Sequence, residues 1–249
     1  MRLAKGKGLV YKVWDAEMVM AGAKMDKALE RLVYAALPHV AFEGWSQAAL
    51  AQAAADSGLS MAQAQALVPR GGVDLALAYH RLGDGQMVTA LAAQDLQALR
   101  FRDRVALAVR LRLQDADAEA VRRGTALFAL PMYAADGARG LWGTADAIWV
   151  ALGDASDDVN WYSKRATLSA VYAATVLYWL GDDSLDQTET WAFVDRRIAN
   201  VMAFEKAKAA FKANPLGKAL MTGPLAFFDR IRAPHPPQDL PGYHQRAYK

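Results

Sequence analysis

The 249-residue chain contains no cysteine, which excludes disulfides, thiol nucleophiles and cysteine-based zinc sites. Proline is scarce before residue 215, where only Pro38, Pro69 and Pro131 occur. Together with short β-branched runs and abundant alanine, leucine, arginine and glutamine, that scarcity predicts an all-α chain. Long hydrophobic runs are missing as well. The longest uncharged stretch, ATLSAVYAATVLYWL at 166–180, is shorter than the roughly 20 residues needed to span a bilayer, so an integral membrane protein is not expected. Histidine is limited to His39, His80, His235 and His244. There is no Glu-x-x-His pair for a di-iron bundle, no Gly-x-Ser-x-Gly elbow and no phosphate-binding glycine loop. Catalysis and metal binding are therefore not expected, and His39 and His80 read as structural or solvated helix residues.

What is present is a large apolar fraction, 54% of residues, enough for a sizeable core, and an uneven charge. Residues 25–205 hold sixteen Lys and Arg against twenty-two Asp and Glu, whereas 206–232 hold six bases and a single acid, Asp229. The body is acidic and one late segment is basic.

Met25, Leu29, Leu32, Ala36 and Val40 recur at helical spacing, with Pro38 expected to help end that helix before FEGW. Ser46 reads as the cap of a second helix, QAALAQAAADS, closed at Gly58, and Ser60 with Gln63 as a capping box for a third. Pro69 and the Gly71-Gly72 pair precede a fourth helix, predicted to run, kinked at Gly83 and Gly85, to about Leu99. Further helices are expected at about 101–114, 117–130, 138–152, 158–180, 188–212 and between 216 and 232. The start, 1–23, reads as a loose arm and not a signal peptide. The proline-rich tail, 233–249, is expected to be disordered.

Residues 57–69, SGLSMAQAQALVP, have the outline of a DNA-reading helix-turn-helix yet carry no charge. The run FEGWSQAALAQAAADSGLS, then VP and DLALAY, resembles TetR-family regulators, whose first three helices form a helix-turn-helix and whose remaining helices build a ligand-binding, dimerising body. Where such regulators place basic, small and aromatic side chains, this chain has Met61, Ala62, Gln63, Ala64, Gln65 and Ala66. Arg and Lys supply most phosphate contacts and the strongest guanine contacts. The fold is retained in this reading and nucleic-acid binding is lost. A TetR-type regulator with a hydrophobic effector stays as the alternative function.

A second resemblance is more specific. DDVNWYSKRATLSAVYAATVLYWLGDDSLDQTETWAFVDRRIANVM at 157–202, with PMYAADG and the head, is similar to the ubiquinone-biosynthesis accessory family called Coq-nine, TetR-like lipid-binding proteins that do not regulate transcription. That resemblance implies a non-enzymatic protein without a cofactor of its own, which binds an isoprenoid quinone or phospholipid. It would present a polyprenyl quinone precursor to a separate protein, the di-iron demethoxyubiquinone hydroxylase. It further implies a homodimer placed peripherally on a membrane surface, in the cytoplasm at a bacterial inner membrane or on the matrix side in a mitochondrion.

Three groups of site residues follow. By spacing alone, Asp158, Trp161 and Tyr162 read as a helix cap with one buried and one exposed aromatic; the resemblance implies that they form the partner-docking patch, with Ile148 at a further patch position. Leu168, Tyr172, Thr175 and Trp179 share a helical face flanked by Val171 and Val176, and core packing is the plain reading of that face. The resemblance instead implies a lipid tunnel there, to which Trp142 is assigned. Last, Leu216, Leu220, Phe227 and Ile231 form an apolar stripe with Phe228 beside it, and Lys212, Lys218, Arg230 and Arg232 on the polar side. This is a basic amphipathic pattern suited to an anionic membrane surface, kinked or divided at Pro224. Arg100, Arg102, Arg104, Arg110 and Arg112 spread around their helix and read as a solvated, salt-linked surface. The expected division is thus an arm at 1–23, a helix-turn-helix-like head at 24–72, a lipid-binding and dimerising body at 73–212, the amphipathic helix at 213–232 and the tail at 233–249.

Overall fold

The computed structural model describes residues 25–213 and 232–233. The arm, the amphipathic stretch at 214–231 and the tail from 234 onward lie outside the described residues. Among those described are nine α-helices, one short 3-10 turn and no strand. They are α1 (Lys27–Glu43), α2 (Gln47–Asp56), α3 (Met61–Leu67), α4 (Gly72–Ala92), α5 (Phe101–Leu113), α6 (Ala118–Phe128), α7 (Ala134–Ala151), α8 (Val159–Trp179) and α9 (Thr188–Ala213).

Local signals set the head. Asp26 caps α1 by accepting from the Ala28 N–H at 2.7 Å. Ser46 caps α2, and the Ser60–Gln63 capping box closes in both directions, at 2.8 and 3.2 Å. Gly58 takes the left-handed conformation, φ 69°, that ends α2. Pro38 does not stop α1, contrary to the sequence expectation. Leu32, Val33, Ala36 and Val40 are wholly buried on one face, and their packing holds the helix together across the lost hydrogen bond. The stop comes at Gly44, with φ 65° and its N–H on the Val40 carbonyl.

Two apolar cores lie in sequence along α4. The first joins α1, α2 and α3 to Leu75, Ala76 and Ala78; the second packs Met87 and Leu91 against α5, α7, α8 and α9. A 21-residue helix is about 31 Å long, enough to serve both. It passes through Gly83 and Gly85 without interruption and ends at Ala92, seven residues before the expected Leu99. Residues 95–99 form turns, with the Asp95 carboxylate accepting from the Gln97 N–H, a local bond that competes with helix.

Between the cores runs a polar seam. Arg112, with a side chain 4% exposed, donates from Nε to Asp84 at 2.6 Å and from Nη2 to the His80 carbonyl at 2.9 Å. A Cβ on Gly83 would sit 2.5 Å from that guanidinium, so glycine is what admits it. Arg112 is thus a buried ion-pair partner of Asp84 and not part of a solvated surface. Thr144 completes the seam, with its Oγ1 2.8 Å from Asp84 Oδ1 and 2.8 Å from His80 Nε2. Because His80 Nε2 also faces the Gly140 carbonyl, an acceptor only, at 3.1 Å, that nitrogen carries the proton and donates. His80 is structural, as its helical context suggested. His39, at the head surface, pairs with Asp56 at 2.6 Å.

Candidate functional site

The most elaborate surface constellation is built where α7 delivers its middle to the first two turns of α8. Asp158 caps α8, accepting the Asn160 N–H at 2.9 Å on one carboxylate oxygen and the Asn160 amide Nδ2 at 2.8 Å on the other. The cap fixes where α8 starts, and hence the direction in which the next two side chains leave the helix. Trp161 is half-buried and Tyr162 is exposed, the split expected of neighbours about 100° apart. Their rings meet edge to face at 4.8 Å.

Trp142 of α7 completes a three-ring cluster, 5.8 Å from Trp161 and 6.4 Å from Tyr162. It therefore stands with the docking candidates and not with the α8 face to which lipid binding was assigned. Ile148 moves the other way. It is wholly buried in the second core, because it lies on the inward face of α7, so its side chain takes no part in the surface cluster.

Beneath the rings lies a charged layer that sequence reading missed. The Arg165 guanidinium stacks over Trp161 at 4.0 Å and donates to Asp146 at 2.5 Å, to Asp154 at 3.2 Å and to the Trp161 carbonyl at 3.2 Å. Its side chain is 2% exposed. Lys164 donates to Asp154 and Ser156 at 2.7 and 2.6 Å. Burial acts to raise the Asp154 carboxyl, but hydrogen bonds from Lys164, Ser156 and Arg165 outweigh it and hold the group below the ordinary carboxylate range. The available signal was the KR pair one helical turn after the tryptophan: a basic residue at i+4 from an aromatic sits directly over it. Its acidic partners, eleven and nineteen residues earlier, left no periodic mark.

Leu168, Val171, Tyr172, Thr175, Val176 and Trp179 do form one continuous face of α8; all six are buried, and all but Thr175 belong to the second core. Thr175 returns its hydroxyl to the Val171 carbonyl at 2.8 Å, whereas the buried Trp179 indole N–H has no acceptor among the described residues. Burial pushes the Tyr172 phenol up to about 12. Leu216, Leu220, Phe227, Phe228 and Ile231 fall outside the described residues. Past them, however, the chain returns to this site: the Ala233 N–H donates to the Asp157 carbonyl at 2.7 Å and the Tyr162 hydroxyl to the Arg232 carbonyl at 3.3 Å.

Comparison with known proteins bears on this end of the molecule directly. The COQ9 family model matches residues 134–205, a span that begins with α7 and contains the three rings, Arg165 and the buried face of α8. Ubiquinone biosynthesis protein COQ9, mitochondrial, of Rattus norvegicus is 31% identical over 202 residues, covering 78% of this chain and 64% of that protein. The Homo sapiens protein of the same name is 30% identical over 202 residues, covering 78% and 63%. Over most of its own length this chain is similar to COQ9 proteins. It spans somewhat under two thirds of the length of these relatives. Among solved structures, a TetR transcriptional regulator from Nitrosomonas europaea superposes with a TM-score of 0.58 at 18% identity, covering 70% of this chain and 97% of that one. The fold is therefore TetR-like. In this chain the third helix of that fold turns Ala62, Gln63, Gln65 and Ala66 outward, none of them charged. Among the described residues no helix is long and apolar enough to cross a membrane.

Proposed function

We propose that this chain serves ubiquinone biosynthesis as an accessory protein and not as a catalyst: it binds a polyprenyl quinone precursor and presents it to the di-iron demethoxyubiquinone hydroxylase. The observation that carries this reading is the Trp142–Trp161–Tyr162 cluster lying within the COQ9-matched span. Partly exposed aromatics braced by a buried arginine have the composition of an interface hot spot. The buried apolar face of α8, from Leu168 to Trp179, is the wall along which an isoprenoid chain would lie, since such a ligand needs a long apolar lining and few polar groups. In this reading the protein is a homodimer, peripheral on a membrane surface, whose basic stretch with Leu216, Leu220, Phe227, Phe228 and Ile231 lies at the headgroups. Its place is the cytoplasmic side of a bacterial inner membrane, or the matrix side in a mitochondrion.

The test is capture of the hydroxylase. Trp161→Lys or Tyr162→Ala should weaken it by roughly thirtyfold or more, the equivalent of a hot-spot loss of about 2 kcal/mol, with demethoxyubiquinone accumulating in cells. Thermal midpoints near wild type complete the expected result; variants that capture the hydroxylase normally, or that melt far below wild type, overturn the docking assignment. Lipid mass spectrometry of the purified protein checks the ligand separately. The uncharged α3 surface gives no support to a DNA-reading role, and a salt-dependent mobility shift with duplex DNA at low micromolar protein would revive one.

A further inference from the structure

On a face not used by the docking cluster, the start of α5 and the middle of α9 enclose a groove of about 470 Å³, lined by Arg100, Arg102, Asp103, Asp195, Arg196, Ile198 and Ala199. Three arginines and two aspartates, from segments almost a hundred residues apart, line it together. Arg100 and Arg102 both donate to Asp103, at 2.8 and 3.1 Å, so two cations share one acid. Arg196 is exposed and has no ion-pair partner among the described residues. The groove's neighbours include exposed apolar side chains. Phe101, 43% exposed, stacks on Trp149 at 5.7 Å; Val150 follows Trp149 and is 52% exposed; Met202, one turn beyond Ile198 on α9, is 38% exposed.

Guanidinium groups fit phosphate oxygens as planar forks, and exposed aromatic and aliphatic side chains beside them suit the boundary where headgroup meets acyl chain. We infer that this groove takes the phosphate of an anionic phospholipid at a bilayer surface, with Phe101, Val150 and Met202 set against the acyl region, as a second membrane contact on the folded body. A bilayer is favoured over a free phosphate by those exposed apolar neighbours. It is favoured too by sequence continuity, since α9 leads on into 206–232, where six bases stand against one acid. Asp103 acts as the internal competitor, occupying both arginines until a phosphate displaces it. The inference rests on the membrane part of the proposed function, but not on quinone binding or hydroxylase docking.

Flotation of the full chain with phosphatidylglycerol-containing vesicles, against phosphatidylcholine alone, tests it. Arg100→Gln and Arg196→Gln should each lower partitioning about fivefold, as expected for one well-placed base, and leave the phosphatidylcholine result unchanged. Asp103→Asn, which releases both arginines, should raise partitioning by a similar factor, a gain that lost folding would not produce. If the full chain fails to float at all, membrane binding itself falls, and this inference with it. If it floats but the three variants match wild type, the groove assignment alone is overturned. Displacement by inorganic phosphate beyond that by chloride at equal ionic strength overturns the bilayer as the source, and a duplex-DNA shift abolished by Arg196→Gln assigns the groove to nucleic acid instead.

Discussion

The head and the α7–α8 end are stabilised by opposite means. In the head, α1, α2 and α3 meet through alanines: Ala36, Ala49, Ala53 and Ala64 are wholly buried, and the first core holds no charged side chain. Backbones approach closely and the helix ends are closed by side chains two or three residues away. At the α7–α8 end the structure rests on a buried arginine between two carboxylates, with an indole stacked on top. The head's distant contacts are neutral or peripheral, such as the buried Trp45 Nε1–H on the Ala120 carbonyl at 2.9 Å; the site end is built on buried charges brought together from distant parts of the sequence. A reading region whose specificity came from side chains on α3 would require the reverse, charges outward on the head and a plain apolar joint elsewhere.

That contrast predicts the largest single effect at Arg165. Arg165→Ala leaves Asp146 and Asp154 facing each other without their shared cation, and removing one member of a buried pair costs about 3–5 kcal/mol. Denaturant unfolding should show this loss, and the Trp161 ring should lose its fixed stacking. Replacing all three, with Arg165→Met, Asp146→Asn and Asp154→Asn, should recover much of the stability, because the penalty comes from uncompensated charge. If Arg165→Ala unfolds within about 1 kcal/mol of wild type, the charged layer is ornamental and the contrast with the head collapses.

The same difference explains what could be read before any coordinates. The caps at Ser46 and Ser60, the left-handed Gly58 and the aromatic pair at 161–162 each depend on residues within one or two turns, and each stands in the structure where the sequence put it. Arg112 was misread as solvated because its acid, Asp84, lies 28 residues earlier on another helix. Ile148 and Trp142 were placed by the resemblance, and the α7 pattern could not locate them: glycines at 137, 140 and 143 blur the apolar stripe, so spacing does not say that Ile148 turns into the second core and Trp142 towards Trp161. Pro38 was read by its intrinsic cost, and tertiary packing overrode it.

An intermediate effect is expected at the seam, through pH. Burial lowers the His80 pKa below its ordinary 6.5, with Asp84 acting in the opposite direction and Arg112 reinforcing the fall. Its folded pKa is depressed, so the unfolded chain binds the extra proton first. The stability due to neutral His80 is full above about pH 6.5 and declines as pH falls towards the folded value, by at most about 1.4 kcal/mol per pH unit. Unfolding midpoints measured between pH 7.5 and 5 should show that decline. His80→Gln should flatten it, since a glutamine amide still donates to Thr144 and Gly140 but does not titrate. An unaltered slope in that variant would place the acid sensitivity elsewhere and leave the seam a purely structural feature.

The smallest effect belongs to the head, at its most local device. Ser60 accepts the Gln63 N–H while the Gln63 side chain accepts the Ser60 N–H, two otherwise unpaired donors at the start of a seven-residue helix. So short a helix has little stability of its own and depends on Ala64 and Val68 being packed beneath it. Ser60→Ala removes one acceptor and should cost about 1 kcal/mol, whereas Ser60→Asp should cost almost nothing and Ser60→Gly only a few tenths. The loss should be confined. Hydrogen exchange at the Gln63 amide should quicken in Ser60→Ala by more than the global change in stability accounts for, while amides in α8 keep pace with that global change alone. Faster exchange spread evenly through α1, α2 and α8 would mean that the head is cooperative with the body, and that its caps are not the independent local fasteners the first core implies.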